Sequence, residues 1–155
     1  MWNTQKEVPM VRKPNIAFVR NLYQAYCICC KSLCRELRMP QTAFDILMFL
    51  ANNPDYNTAK DIVELRGFKA NLVSVNVDRL VQEGYLDRSD FPGDRRKTVL
   101  ACTPKAHPII ERGWQLQESF FQDIFQDVDE ASRENFHRVM EQVDRNLNRI
   151  MKENE

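Results

Sequence analysis

The sequence predicts a mainly α chain with one small β-hairpin, on three observations. Apolar residues recur three and four apart through most of the chain, the period of helices that bury one face. One stretch breaks that texture: DRSDFPGDRRKTVLACT, from Asp87 to Thr103, sets Pro92-Gly93 between two short β-prone runs. Glycine is scarce, 4 in 155 residues, and long aliphatic residues are frequent, which favours helix over sheet.

Length and composition bound the rest. A chain of 155 residues makes one domain with a sizeable core, or two small lobes. It is 43% hydrophobic and 28% charged, ordinary for a globular protein. Its 22 bases balance its 22 acids, so affinity for a polyanion must come from a local cluster. The opening segment MWNTQKEVPMVRKPN has no apolar stretch of signal-peptide length, and no apolar run spans a bilayer. A cytoplasmic location with no membrane partner is expected. Five cysteines fit a reducing compartment.

Residues 1–14 read as an arm. A helix is expected from Asn15 to Arg38. At 100° per residue, Ile16, Val19, Tyr23, Tyr26, Cys27, Cys30, Cys34 and Leu37 share one arc of about 100°. Phe18, Leu22, Cys29 and Leu33 lie opposite. Two apolar flanks suit a helix packed between two bodies, its own domain and a partner subunit. A short helix opens at Met39-Pro40, carries Phe44, Ile46, Leu47 and Leu50, and stops before Asn52-Asn53-Pro54. Another starts at Thr58, with Asp61 three later in the manner of a capping box; Ile62, Val63 and Leu65 form its core face and Gly67 ends it. A third runs from Ala70 to Glu83 and stops at Gly84, with Val73, Val77 and Leu80 on its buried face. Two helices joined by a tight turn outline a helix-turn-helix.

Strands are expected at Tyr85–Arg88 and Thr98–Cys102, with the cations between them at the hairpin tip. Helix resumes after Thr103-Pro104, carrying Ile109, Ile110, Trp114, Phe120, Phe121, Ile124 and Phe125, with Pro108 kinking or delaying its start. Asp129 caps a final helix striped by Phe136, Val139, Met140, Val143, Leu147 and Ile150, a face that must be covered by something. Three short helices and a hairpin in this order make a winged helix-turn-helix, with the hairpin as its wing. Cations gathered on a wing can enter a narrow minor groove, where the negative potential is deepest, without any net charge on the protein.

At this point the chain resembles the MarR family of bacterial winged-helix transcription regulators. The resemblance rests on NLVSVNVDRLVQEGYLDR followed by DFPGDRRKTVLACTPKA: a recognition helix with Asp78-Arg79-Leu80, a glycine, a wing with Asp-x-Arg, a strand and a Thr-led helix. It implies a homodimer held by helical regions at 15–38 and 104–155, flanking a DNA-binding lobe at 39–103. It implies a pseudo-palindromic operator in double-stranded DNA, repression as the usual outcome, and relief by a small-molecule effector or by oxidation. It places the family's Asp-x-Arg on Asp94 and Arg96, where the carboxylate orients the guanidinium.

The candidate DNA contacts follow. On the recognition helix, Asn71 suits adenine, Val75 suits thymine methyls, Ser74 and Asn76 reach bases or phosphates, and Lys69 at the helix entry suits a phosphate. On the wing, Arg95 and Lys97 add phosphate contacts and Arg88 stands at the base. Between Gln41 and Thr103 acids nearly match bases, so non-specific affinity is expected to be weak and steeply salt-dependent.

The run CICCKSLC leaves three readings open: Cys27, Cys30 and Cys34 complete an apolar stripe, sense oxidants, or bind metal. Stripe membership favours core. A metal needs further ligands, and the chain has 2 histidines, His107 and His137, so no metal or cofactor is expected. A ligand pocket implied by the family would draw on Tyr23, Tyr26, Phe44, Met48 and Trp114, which serve equally well as core. No phosphate loop, metal motif or activated nucleophile points to an enzyme. The alternative to a DNA-binding regulator is a winged-helix module that binds protein.

Overall fold

A computed structural model describes residues 16–91 and 93–153; the side chains of Ile16, Arg95 and Arg96 are outside the described set, as is the expected arm at 1–14. The element order is α1 (Ile16–Glu36), α2 (Gln41–Asn52), α3 (Ala59–Arg66), α4 (Ala70–Gln82), β1 (Leu86–Phe91), β2 (Asp94–Cys102), a 3-10 turn (Pro104–Ala106), α5 (His107–Ile124) and α6 (Glu130–Lys152). The chain divides into two compact units, one reaching to Trp114 and one from Gln115 to Glu155.

In the first unit α2 is the centre. All residues from Ala43 to Leu50 are buried, which an apolar run on a short helix achieves only when other elements surround it. α3 begins with the expected capping box: Thr58 Oγ1 accepts from Asp61 N at 3.2 Å, and Asp61 Oδ2 accepts from Thr58 N at 2.9 Å. Ile62 is fully buried, but Leu65 is exposed and leaves the expected core face. Eight residues make little more than two turns, and Leu65 sits on the side facing water. Gly67 ends α3 in the left-handed region, φ 67°, where a side chain would be strained. α4 then buries Val73, Val77 and Leu80 as expected.

The strands are longer than the sequence predicts. β1 and β2 pair antiparallel from Leu86↔Cys102 out to Phe91↔Asp94, with an irregularity between Asp90 and Phe91. The cations therefore lie along β2 and not on a loop. The loop before α3 joins the sheet: Leu100 N donates to Asn57 O at 2.8 Å and Thr58 bridges to Val99. Pro108 delays the next helix, as the 3-10 turn intervenes and α5 proper starts at His107. Thr103 does not cap it; its Oγ1 donates to Gly84 O at 2.7 Å.

In the second unit Asp129 caps α6, accepting from Ser132 N at 2.9 Å. Phe125 and Phe136 meet edge to face at 5.3 Å. The striped face of α6, Phe136 through Ile150, is exposed.

Candidate nucleic-acid interface

α4 carries its sequence neighbours to opposite fates. Lys69, Asn71, Ser74 and Val75 are exposed, whereas Val73 and Val77 are buried. Asn71 Oδ1 accepts from Leu72 N at 2.9 Å. Asn76 is the correction: it is 6% exposed, and its Nδ2 donates to Leu72 O at 2.8 Å. It sits one turn from Val73 and Leu80, and its amide bonds the helix backbone.

The wing is held against this helix. Arg88 on β1 donates to Asp78 on α4. The pair joins the two elements while the Arg88 side chain stays partly exposed. A cleft of about 500 Å³ lies between α3, α4 and the wing, walled by Val63, Val73, Val77 and Leu100 with Lys60 and Arg88 at its edge. Lys97 on β2 is exposed and lies over the Phe91 ring at 5.6 Å. Asp94 opens β2, half-buried, and the side chains of Arg95 and Arg96 lie outside the described residues.

Between α2 and the end of α3 stands a polar cluster that the sequence hardly signals. Asp45, inside the run FDILMFL, is 3% exposed. Its Oδ1 accepts from Gln41 Nε2 at 2.9 Å, Arg66 at the end of α3 stands 3.8 Å from Oδ2, and Oδ2 has no hydrogen bond. Burial pushes its carboxyl above the usual range, against the pull of Gln41 and Arg66.

The cysteines of α1 pack beside that cluster. Cys30 and Cys34 are buried, Cys27 is half-buried and Cys29 exposed. Burial raises the Cys30 thiol, opposed by hydrogen bonds with Gln41 and Tyr26, and lifts Cys34 to about 11. Tyr23 shares a hydrogen bond with Cys27 that raises the phenol. Thiols held protonated behave as core, and no metal-binding group of His, Cys, Asp and Glu occurs among the described residues. His107, at the start of α5, and His137, on α6, are each exposed.

The expected ligand-pocket residues do not share one environment. Phe44 and Met48 are core and pack against Gly113, where an added Cβ would overlap Met48 Sδ and come 3.2 Å from Phe44 Cζ. Tyr26 is half-buried, and Tyr23 and Trp114 are exposed, with Trp114 Nε1 donating to Asn52 Oδ1 at 2.7 Å. No described helix is long and apolar enough to cross a membrane.

The comparisons with known proteins agree with this geometry. Residues 39–97 match the MarR family model, a span from the start of α2 to the cations of β2. A solved MarR structure superposes with a TM-score of 0.74 at 15% identity, covering 92% of this chain and 97% of that one. A MarR-family regulator from Listeria monocytogenes, solved with a 26-mer DNA, gives 0.74 at 14% identity over 87% of this chain and 89% of that one. Bordetella bronchiseptica BpsR, described by regulation of its DNA binding by 6-hydroxynicotinic acid, gives 0.62 at 18% identity, covering 88% and 97%. No curated protein matches the sequence. Residues 39–97 therefore match the MarR family of transcription regulators, and the chain has the fold of solved MarR proteins.

Proposed function

We propose that the protein is a homodimeric DNA-binding regulator that represses from a pseudo-palindromic operator and is released by a small ligand. The observation that carries this reading is the Arg88–Asp78 pair, which fixes the wing beside a recognition helix whose Lys69, Asn71, Ser74 and Val75 face outward. In this reading Lys69, Arg95 and Lys97 contact phosphates. Arg96, oriented by Asp94, enters the minor groove, and α4 lies in the major groove. The exposed stripe of α6 supports the dimer, because a helix with one apolar face is stable only when that face is covered. Dimer symmetry sets two half-sites about one helical turn apart, roughly 10 bp. Relief by a ligand is favoured over oxidation of Cys30 or Cys34, whose burial opposes the reactive thiolate.

Selection from random-sequence DNA, run beside Arg96→Ala, tests the reading. Enrichment of a palindrome by the wild type, weakened in the variant and steeply salt-dependent, supports it. No enrichment even at low salt points instead to a winged-helix module that binds protein.

A further inference from the structure

The recognition helix is short of the chemistry that reads guanine. From Ala70 to Gln82 its sequence ANLVSVNVDRLVQ holds one cation, Arg79. That guanidinium is turned along its own helix and back to α1's end: Nε donates to Glu83 Oε1 at 2.8 Å and Nη2 to Arg38 O at 3.1 Å. The helix's one acid, Asp78, is engaged by Arg88, and Asn76 is buried. The commonest specific contact to guanine is a bidentate Arg or Lys to O6 and N7, and α4 directs no such group outward along its length.

It does direct two branched aliphatic side chains outward. Val75 is 66% exposed and Leu72, which sequence periodicity does not single out, is 42% exposed. They lie about 60° apart around the helix, one turn from each other. Neither serves the lobe's core, which Val73, Val77 and Leu80 already fill. Their pairing borders Asn71, whose amide suits the N6/N7 edge of adenine. Apolar side chains beside an amide match an A·T pair in the major groove, where the distinguishing apolar feature is the C5-methyl group of thymine.

We propose that Val75 and Leu72 select operator sequence by contact with thymine C5-methyl groups; this rests on the DNA-binding reading above. Such a contact is specified by shape and burial. Removing the methyl while keeping every hydrogen-bonding edge therefore costs affinity, roughly four-fold per methyl.

The test uses the operator recovered by selection, resynthesised with deoxyuridine in place of each thymidine in turn, and anisotropy titration of the full-length protein. Uracil at one or two positions per half-site is expected to weaken wild-type binding by that factor. Val75→Ala or Leu72→Ala is expected to bind thymine and uracil operators alike, near the wild type's uracil value. Thermal melts are expected to match the wild type, since both side chains are exposed. Arg96→Ala serves as the contrast, weakening both operators equally. If an operator is found yet uracil costs nothing at any position, or its cost persists in both aliphatic variants, methyl reading is overturned while DNA binding stands. If no operator is found, the functional reading itself fails.

Discussion

Arg88 and Asp78 stand ten residues apart in sequence and form an ion pair that joins the first wing strand to the recognition helix. Both side chains are partly exposed, so solvent screens the attraction and its worth to stability is small, below about 1 kcal/mol. In the proposed DNA-binding reading its consequence is orientation: a wing and a helix that enter adjacent grooves together lose less entropy when already fixed.

Arg88→Ala is therefore expected to leave unfolding free energy within about 1 kcal/mol of the wild type. Operator affinity is expected to fall by roughly ten-fold, about 1.4 kcal/mol. Asp78→Asn acts in the same direction. The double variant costs little more than either single change, because both remove the same contact. Additive losses would mean that Arg88 contacts DNA by itself.

Asp45 yields a pH-dependent prediction. Burial raises its carboxyl above the unfolded value, so the ionised form is the one the fold disfavours. The sign follows: the penalty is absent below the unfolded pKa and grows as pH rises through the raised folded value. Asp45→Asn keeps the shape and is expected to stabilise by about 1–2 kcal/mol at pH 7. The gain shrinks as pH falls toward the ordinary carboxylate value near ~3.9. Urea melts from pH 4.5 to 8 check it. A gain that does not change with pH would mean that ionisation of Asp45 is not its cause, and a loss at pH 7 would mean that the attraction of Arg66 at 3.8 Å outweighs the desolvation.

Gly113→Ala is expected to destabilise by about 1–3 kcal/mol, since overpacking a filled core costs that much. The new Cβ would sit 2.8 Å from Met48 Cε and overlap its Sδ. Met48 is buried, so its flexible end has little room to retreat. Combining Gly113→Ala with Met48→Ala should recover part of the loss, measured by thermal unfolding. Equal costs in both backgrounds would place the strain elsewhere.

Thiol labelling separates the cysteines. Cys34, held near 11, and buried Cys30 are expected to resist alkylation of the native protein at pH 7.5 and to react only on unfolding. Mass spectrometry after a short pulse of iodoacetamide reports this. Rapid native labelling of either would reopen the oxidant-sensing reading.

Much of this protein is set by its amino-acid order alone. The capping box at Thr58, the stop at Gly67, the Val73, Val77 and Leu80 face and the cap at Asp129 are local rules, satisfied within a turn or two of chain. The hairpin and its place after the helix-turn-helix are legible for the same reason. What periodicity cannot see is which of several apolar or polar faces water reaches. Asn76 is turned inward, Leu65 and Leu72 outward, and Arg88 is spent on Asp78, because neighbouring elements distant in sequence decide each case. The strands outgrow their propensity since β2 pairs outward to Asp94 and the loop at Asn57 and Thr58 adds its own bonds. Asp45 is the sharpest example. An acid in an apolar run signals something, but only packing against α1 and α3 strips its carboxylate of water, and that desolvation is a property of the fold.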